Sequence, residues 1–236
     1  MKAAPLLLAL VAALGNLLGA AVVVRRARTG LRFIETMLAF GAGFMLAVVL
    51  VGVLPALDFS SGLGTGATIL VGYLAIHLAH HVVVPHFHFG EETHVVSAAV
   101  GSSALVGLSI HSFFDGVAIA SGFQSTAALG VLMFLAVLLH KLPEGVTIAS
   151  VVLAGGRPGR QAVLAALALG FATVLGVVLT EVATPLATHG LALAAGATLY
   201  VAASNLVPEF QNKRRADLTI SFFGGALAVI ALEMMR

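Results

Sequence analysis

His111-Ser-Phe-Phe-Asp115-Gly-Val-Ala-Ile-Ala-Ser121 recurs 29 residues later as His140-Lys-Leu-Pro-Glu144-Gly-Val-Thr-Ile-Ala-Ser150. Each copy sets an imidazole four residues ahead of a carboxylate. Residues four apart share one face of a helix, one turn above the other. Two such helices side by side aim two nitrogen and two oxygen donors at one point, the ligand set of a divalent transition-metal site. A lone histidine in an apolar helix reads most simply as a hydrogen-bonded core side chain. The doubled spacing of His111, Asp115, His140 and Glu144 favours ligands instead.

The surrounding sequence is that of a membrane protein. Of 236 residues 60% are hydrophobic and only 9% are charged, against about 25% charged in soluble proteins. Apolar stretches of roughly 20 residues, the length that crosses about 30 Å of hydrocarbon, recur at 4–24, 33–54, 63–84, 95–121, 127–153, 161–181, 188–207 and 217–235. The expected fold is therefore an all-α polytopic membrane protein with eight transmembrane helices in a single domain over 1–236. The opening stretch has Lys2, an apolar run and small residues, as a secretory leader does. Because the run continues through Val24 and stops at Arg25-Arg-Ala-Arg28, it reads as a span.

Basic residues set the expected orientation. Arg25, Arg26, Arg28 and Arg32 follow the first span, Arg157 and Arg160 the fifth, and Lys213, Arg214 and Arg215 the seventh, whereas the connections after spans two, four and six carry none. The positive-inside rule then puts both termini outside, and a bacterial inner (plasma) membrane is the expected location. The pI of about 9.4 reflects these loops, so nucleic-acid binding is not inferred. With no cysteine, thiolate ligands and disulfides are excluded.

A second repeat lies outside the motifs. Gly41-Ala-Gly-Phe-Met-Leu-Ala-Val-Val-Leu-Val-Gly-Val-Leu-Pro55 resembles Ala194-Ala-Gly-Ala-Thr-Leu-Tyr-Val-Ala-Ala-Ser-Asn-Leu-Val-Pro208 at an offset of 153. These spans run in opposite directions, which suggests a three-plus-three inverted repeat flanking the two motif helices, an arrangement common in transporters. Chance likeness between Gly- and Ala-rich packing faces is the alternative.

Asp115, Lys141, Glu144 and Glu181 fall inside expected spans, where a charge costs about 2.5–3.5 kcal/mol on insertion scales. Pairing or a bound cation would offset that cost. Pro143 removes a backbone hydrogen bond and crowds the carbonyl of Leu139, so the fifth helix is expected to kink beside His140. Its counterpart in the first copy is Phe114. Gly116 and Gly145, after the carboxylates, permit close helix approach.

At these residues the chain resembles the ZIP family of metal-ion transporters. His111, Asp115, Gly116, His140, Pro143, Glu144 and Gly145 match the signatures of that family's fourth and fifth helices. The resemblance extends over essentially the whole chain. It implies uptake of Zn²⁺ or a similar divalent ion into the cytoplasm, with His111, Asp115, His140 and Glu144 as primary ligands. The metal is then cargo, no prosthetic group is expected, and a homodimer is suggested. Spans one, four, five and six would carry the ion past a scaffold of two, three, seven and eight.

Many family members hold a second, adjacent metal through the residues after each histidine, the shared glutamate and a glutamate on the sixth helix. Glu181 matches that last residue, but Ser112 stands where Asn is common and Lys141 where Asn, Asp or Glu is usual. The expectation is that the Lys141 ammonium, held by Glu144 and Glu181, replaces the second metal. The connection after span three gathers His77, His80, His81, His86, His88, Glu91, Glu92 and His94, which would capture or hand off metal on the cytoplasmic side. His-rich tracts can equally be solvated loops. Glu209, after Pro208, resembles a family exit residue.

An intramembrane zinc-dependent hydrolase is the competing function. It would need an open coordination position and an additional general base, and no His-Glu-x-x-His motif is present. Mixed imidazole and carboxylate ligands suit a carrier, which must bind an ion and also release it. They admit Zn²⁺, Cd²⁺, Fe²⁺, Mn²⁺ or Co²⁺.

Overall fold

A computed structural model of the chain describes residues 3–25, 31–60, 63–79, 98–211, 213 and 215–235, with the backbone alone described at 31, 34, 98–103 and 209. The helices are α1 (Ala3–Val24), α2 (Leu31–Ala47), α3 (Leu63–Leu78), α4 (Ala98–Ser125), α5 (Ala127–Ala154), α6 (Gly159–Val182), α7 (Thr184–Leu199) and α8 (Ala216–Met234). No strand occurs among the described residues. All but α3, which has 16 residues, are long and apolar enough to cross a bilayer, counting the continuations of α2 and α7. The protein is an all-α polytopic membrane protein. His80, His81, His86, His88, Glu91, Glu92 and His94 lie outside the described residues.

Local chemistry sets the helix boundaries. Thr126 alone separates α4 from α5, and its hydroxyl accepts the Leu129 N–H at 3.1 Å, capping an otherwise unpaired donor. The turn into α6 passes through Gly156 at φ +72°, a conformation that side chains with a Cβ resist. Pro185 in the first turn of α7 starts that helix at Thr184, ahead of the expected 188, because proline fits the start of a helix.

Both α2 and α7 widen before a proline. Val48–Val53 and Tyr200–Leu206 are π-helical, and Pro55 and Pro208 follow them. A wider turn relieves the clash of the proline ring with the carbonyl four residues earlier. The two deformations fall at the same place in the 153-residue repeat.

Close glycine contacts show how deep that repeat runs. A Cβ on Gly43 would overlap the Phe222 carbonyl, and one on Gly196, 153 residues on, the Ile69 carbonyl, itself 153 before Phe222. Gly72 against Leu193 and Gly225 against Phe40 repeat the relation. In α1 and α6 the offset is 157. Gly19 meets the Leu142 carbonyl and Gly176 that of Phe113, while Gly145 meets Asn16 and Gly116 meets Thr173. Gly170 packs on Ala13, also 157 apart, where α1 and α6 cross. The chain thus repeats α1–α3 as α6–α8 around α4 and α5. Chance likeness would not reproduce these paired contacts.

In this arrangement α1 and α4 each pack on both α5 and α6, α2 packs on α8, and α3 packs on α7. Leu7, Leu14 and Leu18 on α1, Leu164 and Phe171 on α6, and Ile220, Phe223 and Leu227 on α8 are exposed. Such apolar outer faces suit contact with lipid, where helices associate through close packing of small residues.

Candidate metal centre

The four motif residues converge. His111 and Asp115 on α4 and His140 and Glu144 on α5 are all buried, and each offers a ligand atom within 4.8 Å of the others. Gly116 and Gly145 seat the motif helices tightly, but the backbones they admit belong to α6 and α1. The cluster therefore sits where four helices meet.

Three of the four donors already have the spacing of a tetrahedral face. His111 Nε2 and His140 Nε2 are 3.3 Å apart, His140 Nε2 lies 3.2 Å from Asp115 Oδ2, and His111 Nε2 lies 3.4 Å from the same oxygen. Metal–ligand bonds of about 2.0–2.2 Å give tetrahedral edges of about 3.3–3.6 Å. His140 Nδ1 donates to the Ala136 carbonyl at 2.9 Å, and a carbonyl can only accept. Nε2 thus faces the cluster, where it donates to Asp115 Oδ2 in the absence of metal and would offer its lone pair once that proton is lost, with Nδ1–H anchored as in metal-binding histidines.

Lys141 completes the electrostatics. Its Nζ is fully buried, 2.8 Å from Asp115 Oδ2, 2.6 Å from Glu144 Oε2 and 2.8 Å from Ser112 Oγ. Ser112 in turn donates to Glu144 Oε1 at 2.6 Å. The contact to Asp115, across from α5 to α4, is one that the sequence did not suggest. Once both imidazoles are neutral, as metal ligation requires, one ammonium against two carboxylates leaves the group with a net charge of −1.

Glu181 stands apart from this group. It is half-buried near the end of α6, beside Thr180, whose carbonyl accepts from Gln124 Nε2 at 3.3 Å. Gln124 is nine residues beyond Asp115, about 13 Å along a helix. The α6 residue at the height of the cluster is Thr173, whose backbone faces Gly116. The carbonyl freed by Pro143, that of Leu139, lies against Gly41 of α2, and α5 continues as a helix through the proline.

One cluster residue escaped the sequence reading. Asn16 on α1 is fully buried, and both groups facing its amide are acceptors, which assigns the amide nitrogen to that side. So oriented, it donates to the Lys141 carbonyl at 2.6 Å and to Glu144 Oε2 at 3.3 Å. The available signal was its solitude, as the one polar side chain in α1.

The remaining expected residues are elsewhere. His77 on α3 is exposed, with its ring edge-on to Tyr200 at 5.7 Å. Tyr73 also meets Tyr200, and its hydroxyl lies 2.7 Å from Ser204 Oγ. Glu209 lies in the short helix Val207–Gln211 that continues α7.

Residues 88–233 match the sequence profile of the family described as ZIP Zinc transporter. Over 133 residues the chain is 33% identical to Zinc transporter ZIP6 of Homo sapiens, covering 54% of this chain and 17% of that protein. It is 27% identical over 157 residues to Zinc transporter ZIP9-A of Xenopus laevis, covering 61% and 52%. It is 32% identical over 113 residues to Zinc transporter ZIP4 of Rattus norvegicus, covering 46% and 17%. The matched region thus spans about half or less of each relative's length.

Proposed function

Because the chain belongs to the ZIP zinc transporter family, we propose that it carries divalent transition-metal ions, Zn²⁺ foremost, into the cytoplasm through the His111–Asp115–His140–Glu144 cluster. The observation that carries this reading is the buried triangle of His111 Nε2, His140 Nε2 and Asp115 Oδ2, with edges of 3.2–3.4 Å. It matches a tetrahedral coordination face, and Glu144 is the adjacent fourth donor.

The site takes one metal. Lys141 occupies the position of a second cation, and its ammonium is already matched to Asp115, Glu144 and Ser112. Because Asp115 Oδ2 serves both the ammonium and the triangle, an arriving ion must share or displace it. That competition weakens binding enough for release, as a carrier requires. Ser112 acts as the bridge that keeps Glu144 in reach. Anomalous diffraction from zinc-loaded protein should show a single metal, and two would contradict the reading.

Alternating access moves the α1, α4, α5 and α6 group against α2, α3, α7 and α8. The packing of α1 and α4 on α5 and α6, and of α2 on α8 and α3 on α7, fits this division, with α4 on α7 and α2 on α5 as the contacts that join the two groups. The basic residues around Arg25, Arg157 and Lys213 favour a cytoplasmic location for those connections, leaving both termini outside. His77, the histidines that follow it in the sequence and Glu209 receive the ion on the cytoplasmic side. Glu181 tunes the path beyond the cluster, and two copies form a homodimer. A hydrolase is disfavoured, since among the described residues the carboxylate beside the triangle, Glu144, is tied to Lys141 and Ser112. Metal uptake by proteoliposomes decides: zinc bound but never moved across the bilayer would overturn transport.

A further inference from the structure

Asn16 breaks the symmetry of the metal centre. Its counterpart 157 residues on, Thr173, meets Gly116 as Asn16 meets Gly145. The Thr173 hydroxyl, however, turns to the Leu169 carbonyl of its own helix, at 3.2 Å. Asn16 instead reaches out of α1 to α5, with donors to the Lys141 carbonyl and Glu144 Oε2. Glu144 then has three donors: Ser112 at Oε1, and Lys141 and Asn16 at Oε2. The Asn16 amide is the one of these three that comes from outside the doubled motif.

We propose that Asn16 is a positioning residue for metal binding: its amide, reaching from α1, holds the Glu144 carboxylate beside the face formed by His111, His140 and Asp115. This rests on reading that cluster as the metal site. A polar side chain inside an apolar span is costly unless satisfied within the protein, and Asn16 is satisfied by the backbone of α5 and by the carboxylate itself. An uncharged donor suits the task. It steadies Glu144 without adding a second positive charge beside an incoming cation.

Calorimetric titration of zinc into the purified full chain tests the role. Asn16→Leu keeps the branching at Cγ, adds some bulk and removes the donor, and should weaken zinc binding about tenfold, the usual loss for one hydrogen bond to a charged group. Asn16→Ser, too short to reach Glu144, should shift affinity in the same direction and serves if the leucine variant does not purify. In a Glu144→Gln background, Asn16→Leu should change affinity by less than about twofold, because a residue acting through Glu144 is not additive with its loss. Equal losses in both backgrounds would mean that Asn16 only packs α1, and would overturn the proposal. Unchanged affinity in both Asn16 variants, while His111→Ala abolishes binding, would overturn it as well. Native-like binding by His111→Ala would instead overturn the metal-site reading, and this inference with it.

Discussion

Lys141 and Asp115 form a buried ion pair between α5 and α4, with Nζ 2.8 Å from Oδ2, the oxygen that also closes the triangle with His111 and His140. A cation already built into the protein thus shares a ligand atom with the metal that the proposed site would bind. Removing one partner of such a pair strands the other in a medium of low polarity, at about 3–5 kcal/mol.

Lys141→Met should therefore lower thermal stability without metal and tighten zinc binding by at least about tenfold, since repulsion between ammonium and metal is relieved. Turnover should fall as release slows. Uptake kinetics over a range of zinc concentrations would show a lower KM together with a lower kcat, and an unchanged KM would argue against competition at Asp115.

His111→Ala and Glu144→Ala should each abolish zinc uptake while leaving a folded, monodisperse protein. Loss of an imidazole removes one corner of the triangle, and loss of Glu144 removes the fourth donor and a partner of Lys141. Proteoliposome uptake is the measure, and retained uptake in either variant would move the transport site elsewhere.

Symmetry makes its own prediction. Ala at Gly43 and at Gly196 should destabilise the protein to similar extents, about 1–3 kcal/mol for an overpacked contact, because each Cβ would meet an equivalent carbonyl. Ala at Gly66, which has open space around it, should be neutral or slightly stabilising. Melting curves in detergent distinguish the three.

At the ends of α2 and α8, Glu35 accepts from Lys213 at 2.7 Å and from Arg215, which also pairs with Asp217. These groups are partly open to solvent, so Glu35→Gln should cost no more than about 1 kcal/mol. The cost should shrink as salt is added. A large, salt-independent loss of melting temperature would show that this network is sealed from water.

The length and apolarity of the spans, and the pairing of an imidazole with a carboxylate one turn later, are legible in the order of residues alone. These follow from the rise and period of a helix, which act between near neighbours. His111, Asp115, His140 and Glu144 were legible for that reason, and the doubled spacing carried the pattern. Tertiary structure alone decided which other side chains reach the cluster. Asn16 lies 128 residues before Glu144, and no local periodicity links them. They meet because the glycine after Glu144 lets α1 settle against the backbone of α5. The same packing presents Thr173, rather than Glu181, at the height of the cluster, and turns Lys141 toward Asp115. Contact between distant helices depends on where their backbones can approach without a Cβ in the way.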